Sequence, residues 1–140
     1  AIKSMKHRNQ LGVMTLNALP LTAVSTSVDF TSLAPVYVHS AVPPISNPPR
    51  KTISGVNVLW LGDANANKNT KYNGSANDKQ ALLDGLGGNG NATAVGYRIE
   101  DVNMDGIVKY NNTDNDKNHI LNNVMTISFP NAVYYQHTPN

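Results

Sequence analysis

The sequence predicts a mainly β protein, with an N-terminal β-sandwich-like layer followed by a small pair of loop–helix repeats. Three observations carry this. Residues 1–60 hold short runs rich in Val, Ser and Thr, broken by Pro, Gly and Asn, which is strand and turn composition rather than helix. Residues Asp63–Leu83 and Asp101–Leu121 align without a gap at an offset of 38, with nine of 21 positions identical. Each copy ends in an apolar stretch at helical spacing, Leu82/Leu83/Leu86 and Ile120/Leu121/Val124, and an internal repeat fixes architecture before any single residue does.

Taken in order, Ile2–Arg8 reads as extended, and Leu11–Met14 as a second strand after a tight connection at Asn9-Gln10. Val24–Phe30 and Val36–His39 are further strand candidates. Pro43, Pro44, Pro48 and Pro49 exclude helix and central strand, because proline fixes φ and lacks an amide donor. Val56–Leu61 is a strand that feeds the first repeat, with Trp60 as its anchor to a core. A helix is predicted over Asp78–Leu86, stopped by Gly87-Gly88, and another over Asp116–Val124. Ile127–Phe129 and Val133–Gln136 read as closing strands that return to the first layer. The organisation is thus a β-rich module at 1–60, joined by closing strands within 126–137, and a duplicated region at 61–125 with repeats 63–86 and 101–124.

The repeat carries chemistry. Oxygen-bearing side chains stand at positions 1, 3 and 5 of both copies, as Asp63, Asn65, Asn67 and as Asp101, Asn103, Asp105. An EF-hand-type loop wraps a hard cation in this way, adding a backbone carbonyl at position 7, here Asn69 and Ile107. The second copy has glycine at the sharp turn, Gly106, whereas the first has Lys68 there and Asn67 in place of an acid. Calcium is therefore expected at two sites, the second being the more regular. The acid that an EF-hand holds at position 12 is missing, and the shared acids Asp78 and Asp116 fall at position 16. They either close the ion shell from the first helical turn, where the helix dipole favours an acid, or serve as N-terminal caps.

Charge supports the same reading. Residues 1–62 carry five Lys/Arg and one acid, and residues 63–140 carry six Lys/Arg and eight acids. The scattered basic residues do not make a nucleic-acid face. Only 14% of residues are charged, against about a quarter in ordinary domains, and Asn fills much of the gap. Without cysteine there is neither a disulfide nor a thiolate metal site. No apolar run approaches the about 20 residues of a membrane span. Ala1–Gln10 has no apolar signal core, so an exported precursor would carry its signal elsewhere. His7, His39, His119 and His137 show no metal-ligand spacing, and no nucleophile–base pattern stands in a recognisable context, so catalysis is not expected.

The segments His7–Thr15, Ser27–Phe30, Trp60–Asn65 and Glu100–Gly106, with the Tyr110 and Asn115-Asp116 echo, resemble a module of large secreted or surface proteins of Bacteroidetes. The two Asp loops are similar to dockerin repeats, although the extra residues before Asp78 and Asp116 depart from them. The resemblance implies export to the medium or cell surface, calcium binding, and a structural or anchoring role. Members of that family carry further β strands upstream, so the first layer is expected to be incomplete. The expected partner is another protein chain or the rest of a parent protein, and an incomplete layer would also let another chain add a strand at an open edge, making the protein a subunit of a multi-chain surface assembly. A glycan is the other candidate partner, with Trp60, Tyr72, Tyr110, Tyr134 and Tyr135 as stacking faces.

Overall fold

The computed structural model describes residues 1–22, 24, 27–32, 35–40, 45, 47–125 and 131–138. Strand β1 (Ser4–Met5) pairs antiparallel with β2 (Val13–Met14), and β3 (Lys51–Ile53) with β4 (Val56–Val58). Strand β5 (Asn69–Lys71) precedes helix α1 (Asp78–Gly85), and β6 (Thr93–Val95) leads to β7 (Ile107–Lys109) and helix α2 (Asp116–Val124). Strand β8 (Val133–Tyr135) comes last. The protein is mainly β, built from small sheets, with two short helices.

Every sheet among the described residues has two strands. The expected β-sandwich-like layer is therefore not formed there. Val24 and residues 27–30 are outside any strand, while Val36 makes one isolated bridge, to Thr15. The rest of the Val24–Phe30 candidate, Pro43-Pro44, and Ile127–Phe129 lie outside the described residues. The closing strand is also corrected. Strand β8 pairs with β5, in register Asn69↔Tyr135 to Lys71↔Val133, inside the duplicated region and not with residues 1–60. Its tie to the N-terminal part runs through side chains instead. Tyr134 packs with Leu11, Trp60 and Val124, and its hydroxyl donates to the Val124 carbonyl at 2.6 Å. Trp60 is 2% exposed, meets Tyr134 at 4.7 Å between ring centroids, and donates Nε1–H to the Pro48 carbonyl.

The second cluster is shared by the two repeats. Ala64 and Val102 from position 2, Leu82 and Ile120 from the helices, Leu86, and Val108 from β7 form it. Two copies of one apolar pattern thus bury each other, which neither would achieve alone.

His137 closes the C-terminal side. It is 1% exposed, accepts the His39 amide at Nδ1 (3.0 Å) and donates from Nε2 to the Asn47 carbonyl (2.9 Å). This pattern requires a neutral ring, and burial pushes its pKa down. Below the ordinary value of about 6.5 the unfolded chain binds a proton that the folded ring resists, so stability is complete above that pH and falls on acidification towards the folded value. Unfolding followed at a series of pH values should show wild type ahead of His137→Gln at neutral pH by about 2 kcal/mol. The gap should narrow towards about pH 5. A constant gap would refute the assignment.

Candidate functional site

Both repeats begin with a loop stitched to its own backbone. Asp63 Oδ1 accepts the Asn67 amide and Oδ2 the Lys68 amide, while Asp101 Oδ2 accepts the Gly106 amide at 3.1 Å. The oxygens at positions 3 and 5 each accept the amide two residues on: Asn65 from Asn67, Asn67 from Asn69, Asn103 from Asp105, and Asp105 from Ile107. These Asx turns bend the chain at alternate residues, as such side chains do locally.

The backbone repeats as closely as the sequence. Left-handed φ values recur at positions 4, 6, 12 and 14, namely Ala66/Met104, Lys68/Gly106, Gly74/Asn112 and Ala76/Asp114. Lys68 at φ 66° adopts the conformation that Gly106 adopts at 86° without a side-chain penalty. The first loop therefore closes like the second despite its missing glycine. Lys68→Gly should raise stability by about 1 kcal/mol in thermal unfolding, and a loss of stability would mean that the turn is formed differently.

Asp78 and Asp116 do something that neither sequence reading described. Each helix is capped by the residue before, Asn77 accepting the Gln80 amide and Asn115 the Asn118 amide. The aspartates instead reach back across the repeat. Asp78 accepts the Ala64 amide at Oδ1 and the Lys71 amide at Oδ2, both at 2.8 Å. Asp116 accepts Val102 (2.6 Å) and Asn103 (3.2 Å) at Oδ1, and Lys109 (2.8 Å) at Oδ2. Each carboxylate ties the start of its loop to the strand that leaves it.

The other repeated residues brace the same unit. Lys79 lies 4.4 Å from the centre of the Tyr72 ring and donates to Asn73; Lys117 lies 4.5 Å from that of Tyr110 and donates to Asn111. Asn65 and Asn103 donate to the carbonyls of Ala76 and Asp114. Tyr72 and Tyr110 thus have cations over their rings, and Trp60 and Tyr134 lie in the core. Of the proposed stacking faces only Tyr135 is exposed, joined by Tyr97 at 80%.

The electrostatics are unusual for so lightly charged a chain. Asp63, Asp78 and Asp116 are fully buried and Asp101 is 2% exposed. Burial pushes the Asp78 carboxyl up to about 7, helped by the neighbouring charge of Asp63. Burial likewise raises Asp116, with Asp101 adding to it, and raises Asp63 against the opposing pull of Lys6. Lys6 reaches Asp63 at 3.4 Å and Arg8 reaches Asp101 at 3.3 Å. Among the described residues no cation pairs with Asp78 or Asp116. Two buried oxygens of the expected ligand residues, Asp101 Oδ1 and Asn69 Oδ1, have no hydrogen-bond partner.

No family model, curated protein or solved structure matches this chain. All ten residues expected to surround ions are brought into two compact, equivalent units: Asp63, Asn65, Asn67, Asn69 and Asp78 in one, Asp101, Asn103, Asp105, Ile107 and Asp116 in the other. Among the described residues no three His, Cys, Asp or Glu side chains converge as a metal cluster. A cation here would therefore draw on amide and backbone oxygens together with its acids, a donor set that suits a hard ion such as calcium. Sequence reasoning missed Asn9, which is fully buried between the two loop starts. Its carbonyl accepts the Gly62 and Asp63 amides, and its side chain donates to the carbonyls of Ile99 and Asp101.

Proposed function

We propose that the protein is a non-catalytic calcium-binding structural module, and that calcium orders its two Asp/Asn loops within a secreted or cell-surface protein. The observation that carries this is Asp101 Oδ1, a carboxylate oxygen with no partner on a residue 2% exposed. A buried, unsatisfied, charged acceptor is costly, and a divalent ion coordinated there removes the cost. In the first loop Asn69 Oδ1 is likewise buried without a partner. All-oxygen donors, alternate-residue spacing and a sharp left-handed turn at position 6 fit calcium better than a softer metal. Asp101, Asn103 and Asp105 with the Ile107 carbonyl would hold the ion in the second loop; Asp63, Asn65, Asn67 and the carbonyl of Asn69 would do so in the first. Asp78 and Asp116 support these loops from behind through their amide bonds.

The deciding experiment is a crystal structure grown with calcium, with anomalous scattering measured at both loops. Seven- or eight-fold oxygen coordination at about 2.4 Å around Asp101 is the expected result. Loops that keep their shape and hold only water in about 10 mM calcium would overturn the reading, since extracellular modules bind in the 0.1–1 mM range.

A further inference from the structure

The two loop starts are held by one turn of the N-terminal segment. Gln10 donates to the His7 carbonyl, and Arg8 at φ 23° and Asn9 form the bend. Asn9 then bonds the first loop through its carbonyl and the second through its side chain. On either side of this keystone a cation reaches the first acid of each loop, Lys6 to Asp63 and Arg8 to Asp101. Arg8 is held in place by the Tyr97 ring, 4.3 Å from its guanidinium carbon, and donates to the Asp101 carbonyl as well.

Three buried polar atoms at this junction have no partner: Arg8 Nε, Asn9 Oδ1 and Asp101 Oδ1. The second loop and its guard are therefore incompletely satisfied as they stand. An ion that enters the loop and the guanidinium that faces it both draw on the Asp101 carboxylate. Their charges repel, so each weakens the other's hold. Lys6, 39% exposed and at the longer distance, guards Asp63 more loosely.

We propose that Lys6 and Arg8 act as built-in counter-ions that compete with calcium for Asp63 and Asp101, and that the His7–Gln10 turn couples the loading of the two loops. This rests on the calcium reading above and adds its regulation. Loading the second loop displaces Arg8 of the shared turn and loading the first displaces Lys6 next to it, and either alters the hold of that turn on the other loop, which makes the coupling reciprocal. The arrangement also lets the apo form persist, because its buried acids at position 1 are never left without a counter-charge.

The test is calorimetric titration of chelator-treated full chain with calcium chloride, for wild type, Arg8→Gln, Arg8→Lys and Asn9→Ala. Arg8→Gln should tighten the second site at least about fivefold and lower the melting temperature in chelator, whereas Arg8→Lys, which keeps the charge, should stay near wild type. Asn9→Ala should turn a coupled two-site isotherm into two independent sites. Wild-type binding with Arg8→Gln unchanged in affinity overturns this inference and leaves the calcium reading intact. Wild type that binds no calcium up to about 10 mM overturns the calcium reading itself. If Asn9→Ala does not fold, the Arg8 pair still decides the competition.

Discussion

Chelator-treated protein is expected to gain about 10–20 °C in melting temperature when both sites are filled by calcium at about 100 times its dissociation constant. An ion that binds only the folded state stabilises it by mass action, about 2.7 kcal/mol per site at that ratio. For a chain of this size each kcal/mol moves the midpoint by about 2–4 °C or somewhat more. The burial of the acids supports the gain on independent grounds: Asp63, Asp78, Asp101 and Asp116 are nearly or fully removed from water, and among the described residues ion pairs reach Asp63 and Asp101 but not Asp78 or Asp116. Charges of like sign brought together out of water repel, and a divalent ion reverses that term. The calcium-induced shift should fall more in Asp101→Ala than in Asp63→Ala, because the second loop has an acid at position 5 and glycine at position 6. The comparison is of shifts, with and without calcium, since either substitution also removes an ion pair with Arg8 or Lys6. A melting curve that calcium does not move would defeat the proposal, and equal losses in the two variants would defeat the ranking of the loops.

The duplicated region was legible because its signals are local. Leu82, Leu86, Ile120 and Val124 at helical spacing place the buried faces of α1 and α2, and Gly87 and Gly88, both at positive φ, end the first helix. A tight connection between β1 and β2 was expected at Asn9-Gln10; the turn falls one residue earlier, at Arg8-Asn9. Strand pairing was not. Three-residue strands carry too little alternation to declare a partner, and β5 meets β8 across more than 60 residues. The β3–β4 hairpin carried a usable sign, since Ser54-Gly55 takes φ values of 50° and 82° between two short β runs, and a Ser-Gly pair there marks a two-residue turn. That the described residues of the N-terminal part form only two-stranded sheets has a different reason. Val, Ser and Thr content reports compatibility with a pleated surface, and says nothing about whether enough neighbours exist to form one. At the site, spacing gave no sign of the amide bonds of Asp78 and Asp116, because a bond from position 16 to the amides of positions 2 and 9 follows no helical or strand period; of the two roles expected for these acids, the N-terminal cap belongs instead to Asn77 and Asn115.

Asp116→Ala is expected to cost about 3–5 kcal/mol in chelator and in calcium alike. The substitution strands the amides of Val102, Asn103 and Lys109 at the base of the second loop, and each buried donor left without an acceptor costs about 1–3 kcal/mol. Asp116→Asn should lose less, since its one carbonyl oxygen still accepts at the Oδ1 or the Oδ2 side. Asp78→Ala should follow Asp116→Ala with a smaller loss, having two amides to strand instead of three. Denaturant unfolding at two calcium levels separates the roles. A brace is missed whether or not the ion is there, whereas a ligand is missed only when it is. If Asp116→Ala matched wild type in chelator and fell behind only in calcium, position 16 would be part of the ion shell, and the amide bonds that now occupy both of its oxygens would have to give way on loading. If the loss is the same in both conditions, the four residues inserted before each helix have a physical purpose: they move the acid out of the shell and into the frame, leaving coordination to positions 1, 3, 5 and 7.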